Sequence, residues 1–131
     1  MPVPFALKTS VLRPPIPARV LVVDDEPLIR WSLCTALAAA GFDAVSAANG
    51  VEARQLATEW PPPRIALVDA GAEDVGDLLA YVRHIYPECG FVLMTTGQPL
   101  QRYRGKAIDV IEKPFDVHRV ILLIRRLIED S

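Results

Sequence analysis

RVLVVDDEPLIRWSL, residues 19 to 33, is the stretch that decides the fold. Its four consecutive apolar residues, 20 to 23, have the composition of a strand buried on both faces. They run straight into two adjacent carboxylates, Asp24 and Asp25, and then into a helical pattern. Two like charges at contact distance repel by about 1 to 4 kcal/mol, depending on the local dielectric. A chain that sets them at the mouth of a buried strand therefore requires positive charge close by.

Outward from this stretch, apolar strand-like runs alternate with helical patterns. Strands are expected at 19–23, 43–47, 64–68, 91–94 and 107–111, and helices at 27–40, 49–59, 75–85 and 117–129. The first helix carries Pro27 in its first turn, where no hydrogen bond is lost, and Gly41 at its end. Ile29, Leu33, Ala36, Leu37 and Ala40 form its apolar stripe. In the last helix Val117, Val120, Ile121, Ile124, Leu127 and Ile128 share one side. Pro61, Pro62 and Pro63 stop the second helix and deliver the chain extended into the third strand. This alternation with short connections predicts an α/β fold, a doubly wound five-stranded parallel sheet with helices on both faces.

The totals narrow the function. A chain of 131 residues that is 51% hydrophobic fills one core, and a net charge of −2 gives no electrostatic case for nucleic acid. Cys34 and Cys89 have neither metal-ligand nor disulfide spacing and read as reduced thiols of a cytoplasmic protein. No apolar run is long enough for a membrane span. Residues 1–18 hold five prolines, two cations ahead of Arg19 and no acid, and are expected to form an extended arm or linker outside the folded unit of 19–131.

The first and third strands both end in aspartate. In doubly wound sheets ligands sit at the carboxyl ends of the strands, beside the switch in strand order. If these strands are neighbours, Asp24, Asp25 and Asp69 meet in one crevice. Three carboxylates together demand a hard cation with oxygen ligands, and Mg²⁺ suits them. Lys113 ends the fifth strand and Thr95 the fourth. An ammonium and a hydroxyl on the same edge are suited to a tetrahedral phosphoryl group.

The set DD, D, T and KP, each at a strand's end, resembles the receiver domain of bacterial two-component response regulators. The segment DDEPLIRWSL is most similar to receivers of the nitrogen-regulator type. The resemblance covers nearly the whole chain after the arm and implies the flavodoxin-like strand order 2-1-3-4-5. It implies that Asp69 is the phosphoacceptor, attacking a phosphohistidine of a sensor histidine kinase or phosphotransfer protein to give an aspartyl phosphate. Asp25 would ligate Mg²⁺ directly, Asp24 through water, and the backbone carbonyl of Gly71 would complete the set. Lys113 would pair with Asp69 and then with the phosphate, and Thr95 would swing its hydroxyl onto a phosphoryl oxygen. Such a domain acts as a signalling switch on a downstream protein target. It is not an enzyme beyond self-catalysed phosphorylation and dephosphorylation, does not bind nucleic acid directly, and does not enter the membrane.

Plainer readings exist for each piece. Paired aspartates also cap helices; Asp69 could be a turn residue, Thr95 a strand-end threonine beside Thr96, and Lys113 a solvated lysine. Pro114 after Lys113 is a candidate for a cis bond. His84 and His118 read as surface imidazoles, and Arg102, Arg104 and Lys106 around Tyr103 as a solvated basic loop. Trp31 should be partly exposed and offers a docking anchor for a partner helix or a packing site for the proline arm; Leu122, outside its helix's stripe, offers a homodimer contact.

Departures from the family pattern concentrate late in the chain. Where the family commonly has a proline and a glycine after the acceptor, this chain has Glu73 and Asp77, so the loop DAGAEDVGD is more acidic and expected to be more mobile. The switch aromatic three residues before the lysine is replaced by Val110. The segment from Thr95 to Lys113 is shorter than usual and carries Pro99 and two glycines, so the fourth helix is expected to be shortened or lost. Gly71 and Gly97 follow the acceptor and the threonine by two residues and carry no side chain to steer water, which predicts unassisted decay of the aspartyl phosphate. These departures motivate an alternative, a degenerate receiver signalling by phosphorylation-independent protein contact. An Mg²⁺-dependent phosphatase with an aspartyl nucleophile would need an acid where Gly71 stands.

Overall fold

The structure, a computed structural model, describes residues 16 to 130 except 104 and 107, with the backbone alone at 102. Apart from its last three residues, the expected arm lies outside the described residues, as do Arg104 of the basic loop, the side chain of Arg102 and the expected start of the fifth strand at Ala107.

Five parallel strands, β1 (Arg19–Val23), β2 (Asp43–Ala47), β3 (Pro63–Asp69), β4 (Gly90–Thr95) and β5 (Ile108–Glu112), stand in the order β2-β1-β3-β4-β5. Four helices connect or close them: α1 (Pro27–Ala39), α2 (Gly50–Ala57), α3 (Val75–Ile85) and α4 (Val117–Glu129). This is the doubly wound, flavodoxin-like arrangement that the alternation and the resemblance imply.

The apolar run of β1 serves two cores at once, because successive side chains of a strand point to opposite faces. Leu21 and Val23 join Ala66, Val68, Phe91 and Leu93 under α2 and α3, whose Ala53, Ala57, Leu78 and Val82 are buried there. Val20 and Val22 join Ile65, Leu67, Val92 and Met94 under α1 and α4, against Leu33, Leu37, Val120 and Ile124. No polar residue could stand in the middle of β1, β3 or β4 without an unpaired group in one core or the other.

Local chemistry sets the helix ends. Pro27 begins α1, and Gly41 follows it with a φ of +95°, a left-handed turn that glycine adopts without strain. Asn49 lies just outside α2 and caps it by accepting the Glu52 N–H at 3.0 Å, while Glu52 accepts the Ala48 N–H at 2.8 Å. The helix therefore starts one residue later than the apolar pattern suggests, and it ends at Ala57. Asp116 caps α4 through the His118 N–H at 2.9 Å.

Between β4 and β5 the described residues form one 3₁₀ turn, Gln101–Tyr103, in place of a helix. Tyr103, carried on this turn, is buried with the α2–α3 core. An open pocket of about 440 Å³ lies between Leu93, Leu100, Tyr103, Ile108 and Val110. Trp31, Leu122, His84 and His118 are exposed, as their helical positions require.

Candidate functional site at the carboxyl edge of the sheet

Register fixes the site. Val23 pairs with Val68 across β1 and β3, Asp69 with Met94 across β3 and β4, and Thr95 with Glu112 across β4 and β5. The strands therefore end level with one another, and their next residues emerge at one edge. Backbone bonds extend the ladder one step further: Asp24 N–H to Ala47 C=O at 3.1 Å, Ala70 N–H to Met94 C=O at 2.8 Å and Lys113 N–H to Thr95 C=O at 2.7 Å.

Each of Asp24, Asp25 and Asp69 brings a carboxylate oxygen within 4.8 Å of the others. Their surroundings differ. Asp24 is 1% exposed, and both of its oxygens are engaged: Oδ1 accepts the Glu26 N–H at 2.9 Å and Oδ2 accepts from Lys113 Nζ at 2.7 Å. Asp69 is half-buried and takes Lys113 Nζ on Oδ1 at 3.3 Å. Asp25 is exposed, with no side-chain bond to any of the described residues.

Lys113 thus bridges two carboxylates and lies nearer to Asp24 than to Asp69, the partner that the resemblance implies. Burial lowers its pKa, but the bond and charge of Asp24, with those of Asp69, outweigh this and raise it above the ordinary lysine value. The ammonium stays charged. One cation against three carboxylates leaves an excess of negative charge with an exposed oxygen donor, Asp25, on its open side. Such a hard-oxygen set fits Mg²⁺, which takes one or two carboxylates and completes its shell with water and phosphate.

Thr95 is buried at the end of β4 and Thr96 is exposed, which separates the two candidates. The Thr95 hydroxyl is engaged by the loop that follows β4. It donates to Gln98 Oε1 at 2.8 Å and accepts from the N–H groups of Gly97 at 3.0 Å and Gln98 at 3.1 Å. Gly97, with a φ of +108°, makes the reversal that brings Gln98 back over the strand ends.

Two contributors escape a reading of the sequence. Arg30 donates to the Asp24 backbone carbonyl at 2.7 Å and pins the acidic turn to α1; its position one turn into a helix after two aspartates was the available signal. Gln98 places its amide beside Gly71, three residues past Thr95 and not two. The space over Gly71, expected to hold no side chain, is occupied at its margin.

The chain matches no family model. It is 32% identical over 114 residues to the DNA-binding transcriptional regulator NtrC of Escherichia coli K12, a match covering 83% of this chain and 24% of that protein. The chain spans about a quarter of the length of the curated relatives it matches. Among solved structures, the chemotaxis protein CheY4 of Vibrio cholerae superposes with a TM-score of 0.76 at 26% identity, covering 86% of this chain and 99% of that one. A two-component transcriptional regulator AraC from Clostridium phytofermentans gives 0.72 at 30% identity, covering 86% and 92%. With this fold and these relatives, the chain belongs to the receiver domains of two-component response regulators, of the nitrogen-regulator type.

Proposed function

We propose that residues 19–131 form a phosphoacceptor receiver that takes a phosphoryl group from a sensor histidine kinase or phosphotransfer protein onto Asp69, with residues 1–18 as an arm or linker outside it. The observation that carries this reading is the convergence of Asp24, Asp25 and Asp69 within 4.8 Å, with Lys113 bonded to two of them. An Asp69 oxygen attacks the phosphorus of the phosphohistidine. The new O–P bond forms as the N–P bond breaks, and its electron pair returns to the imidazole. Phosphoryl transfer asks for positioning and charge neutralisation more than for acid–base chemistry, and this edge offers both.

Asp25 and Asp69, with the Gly71 carbonyl, would hold Mg²⁺ directly, and Asp24, whose oxygens already have partners, would act through water. The ion supplies neutralisation of the anionic phosphoryl oxygens when bound. Lys113 holds Asp69 in place and then meets a phosphoryl oxygen. Thr95 exchanges its bond to Gln98 for one to the phosphoryl group, which moves the loop after β4. The output is a contact with a downstream protein target, made in the cytoplasm without direct nucleic-acid binding, and Leu122 offers a surface for a homodimer.

The test is a titration of ¹⁵N-labelled protein with Mg²⁺ and beryllofluoride, an acyl-phosphate mimic. Shifts at Asp69, Thr95 and Lys113 that vanish in Asp69→Ala are expected. The second reading, a degenerate receiver signalling without phosphorylation, draws on the engaged Thr95 hydroxyl and on Val110 in place of a ring; Mg²⁺ binding with no response to beryllofluoride would establish it instead.

A further inference from the structure

Gln98 belongs to no motif of the sequence, yet its side chain sits at the centre of the loop over the site. The Thr96 N–H, which can only donate, meets Oε1 at 2.7 Å. That contact fixes the orientation of the amide: its oxygen faces Thr95 and Thr96, and its nitrogen faces the other way. On that side Nε2 lies 3.0 Å from the point where a Cβ on Gly71 would stand, and Oδ2 and Oδ1 of Asp69 lie 3.6 and 3.9 Å from the same point. The amide nitrogen and the acceptor carboxylate thus face one shared volume, kept open because residue 71 is glycine. Nε2 donates to none of the described residues.

We propose that Gln98 is a ligand of the phosphoryl group: once Asp69 is phosphorylated, its Nε2–H donates to a phosphoryl oxygen while its Oε1 keeps the Thr96 N–H. The inference rests on the phosphoacceptor reading above and extends it to a further residue. The chemistry runs in its favour. A phosphoryl group extends from Asp69 with anionic oxygens, and hydrogen bonds to charged acceptors are about twice as strong as neutral ones. The amide is already placed, because the Thr96 N–H holds its oxygen whether or not Thr95 stays bonded to it. Gly71 and Gln98 form a complementary pair: a side chain at 71 would crowd the amide, whose nitrogen lies 3.0 Å from where its Cβ would stand.

Two measurements test this. In ¹⁵N-labelled protein with Mg²⁺, the Gln98 side-chain NH₂ signals, assigned by their loss in Gln98→Ala, should move on adding beryllofluoride. The affinity for beryllofluoride should fall about ten- to a hundredfold in Gln98→Ala, as expected for a lost hydrogen bond to a charged group. Gly71→Ala, which retains Gln98 but pushes its amide aside, should weaken binding in the same direction, and Gln98→Glu, which turns the donor into an acceptor, should weaken it further. Asp69-dependent binding with unmoved Gln98 signals and a Gln98→Ala affinity within about twofold of wild type overturns this inference alone. Wild-type protein that ignores beryllofluoride overturns the phosphoacceptor reading as well.

Discussion

Lys113→Met should destabilise the domain far more than the loss of a surface ion pair. The Lys113 side chain is 13% exposed and that of Asp24 1%, with Nζ and Oδ2 2.7 Å apart. At an effective dielectric of about 20 that pair attracts by about 6 kcal/mol, most of it offset by the desolvation of both groups. Truncating one partner keeps the desolvation and loses the attraction, which costs about 3 to 5 kcal/mol. Against a total stability of about 5 to 15 kcal/mol, the variant is severely weakened but measurable by urea denaturation in a chelator. Asp24→Asn added to Lys113→Met removes the stranded charge and should restore about 2 kcal/mol or more. Mg²⁺ should recover more stability in Lys113→Met than it adds to wild type, since a bound cation replaces the missing one. A loss below about 1 kcal/mol, the range of exposed pairs, or a double variant weaker than the single one, would refute the reasoning.

Three further outcomes are expected. Because the folded-state pKa of Lys113 lies above its ordinary value of 10.5, its ion pair contributes fully below that pH and is lost as pH rises through the folded pKa. The stability gap between wild type and Lys113→Met should therefore be flat through neutral and mildly alkaline pH and shrink only above about 10.5, as pH-stepped denaturation would show. Burial pushes the Cys89 thiol up to about 12 and raises that of the half-buried Cys34 as well, so at neutral pH both are thiols. Iodoacetamide followed by mass spectrometry should label Cys34 slowly and Cys89 only on unfolding. Phe91→Ala, which empties the largest of the fully buried positions, should cost about 3 to 5 kcal/mol in calorimetry or urea melts.

The sequence carried the fold well where hydrophobic pattern and chain punctuation agree. The apolar run of residues 20 to 23, the proline run that leads into β3 and the proline-led start of α1 each constrain the backbone locally, and the elements lie where those signals put them, β3 beginning on the last of the three prolines. Boundaries drifted where tertiary partners decide them: β3 runs on through Asp69 because Met94 pairs with it, and α2 stops at Ala57 although the helical pattern continues to Glu59. Within the site, Asp24, Asp25, Asp69 and Lys113 were legible because strand ends in a doubly wound sheet converge. That Lys113 prefers Asp24, that Arg30 clasps the backbone of the acidic turn, and that Gln98 folds back through Gly97 depend on distances no spacing encodes. Tyr103 eluded the pattern for a similar reason: its ring reaches the core from a loop and not from a periodic element.

β5 is the last strand of the sheet, and among the described residues a single 3₁₀ turn leads up to it. An open border invites accretion, since its backbone groups could hydrogen-bond to any extended chain. Asp109 and Glu112 are exposed along it, flanking Val110 at 45% exposure. Two copies meeting border to border would bring acid against acid. These two side chains set like charges along the border where a pairing strand would have to lie.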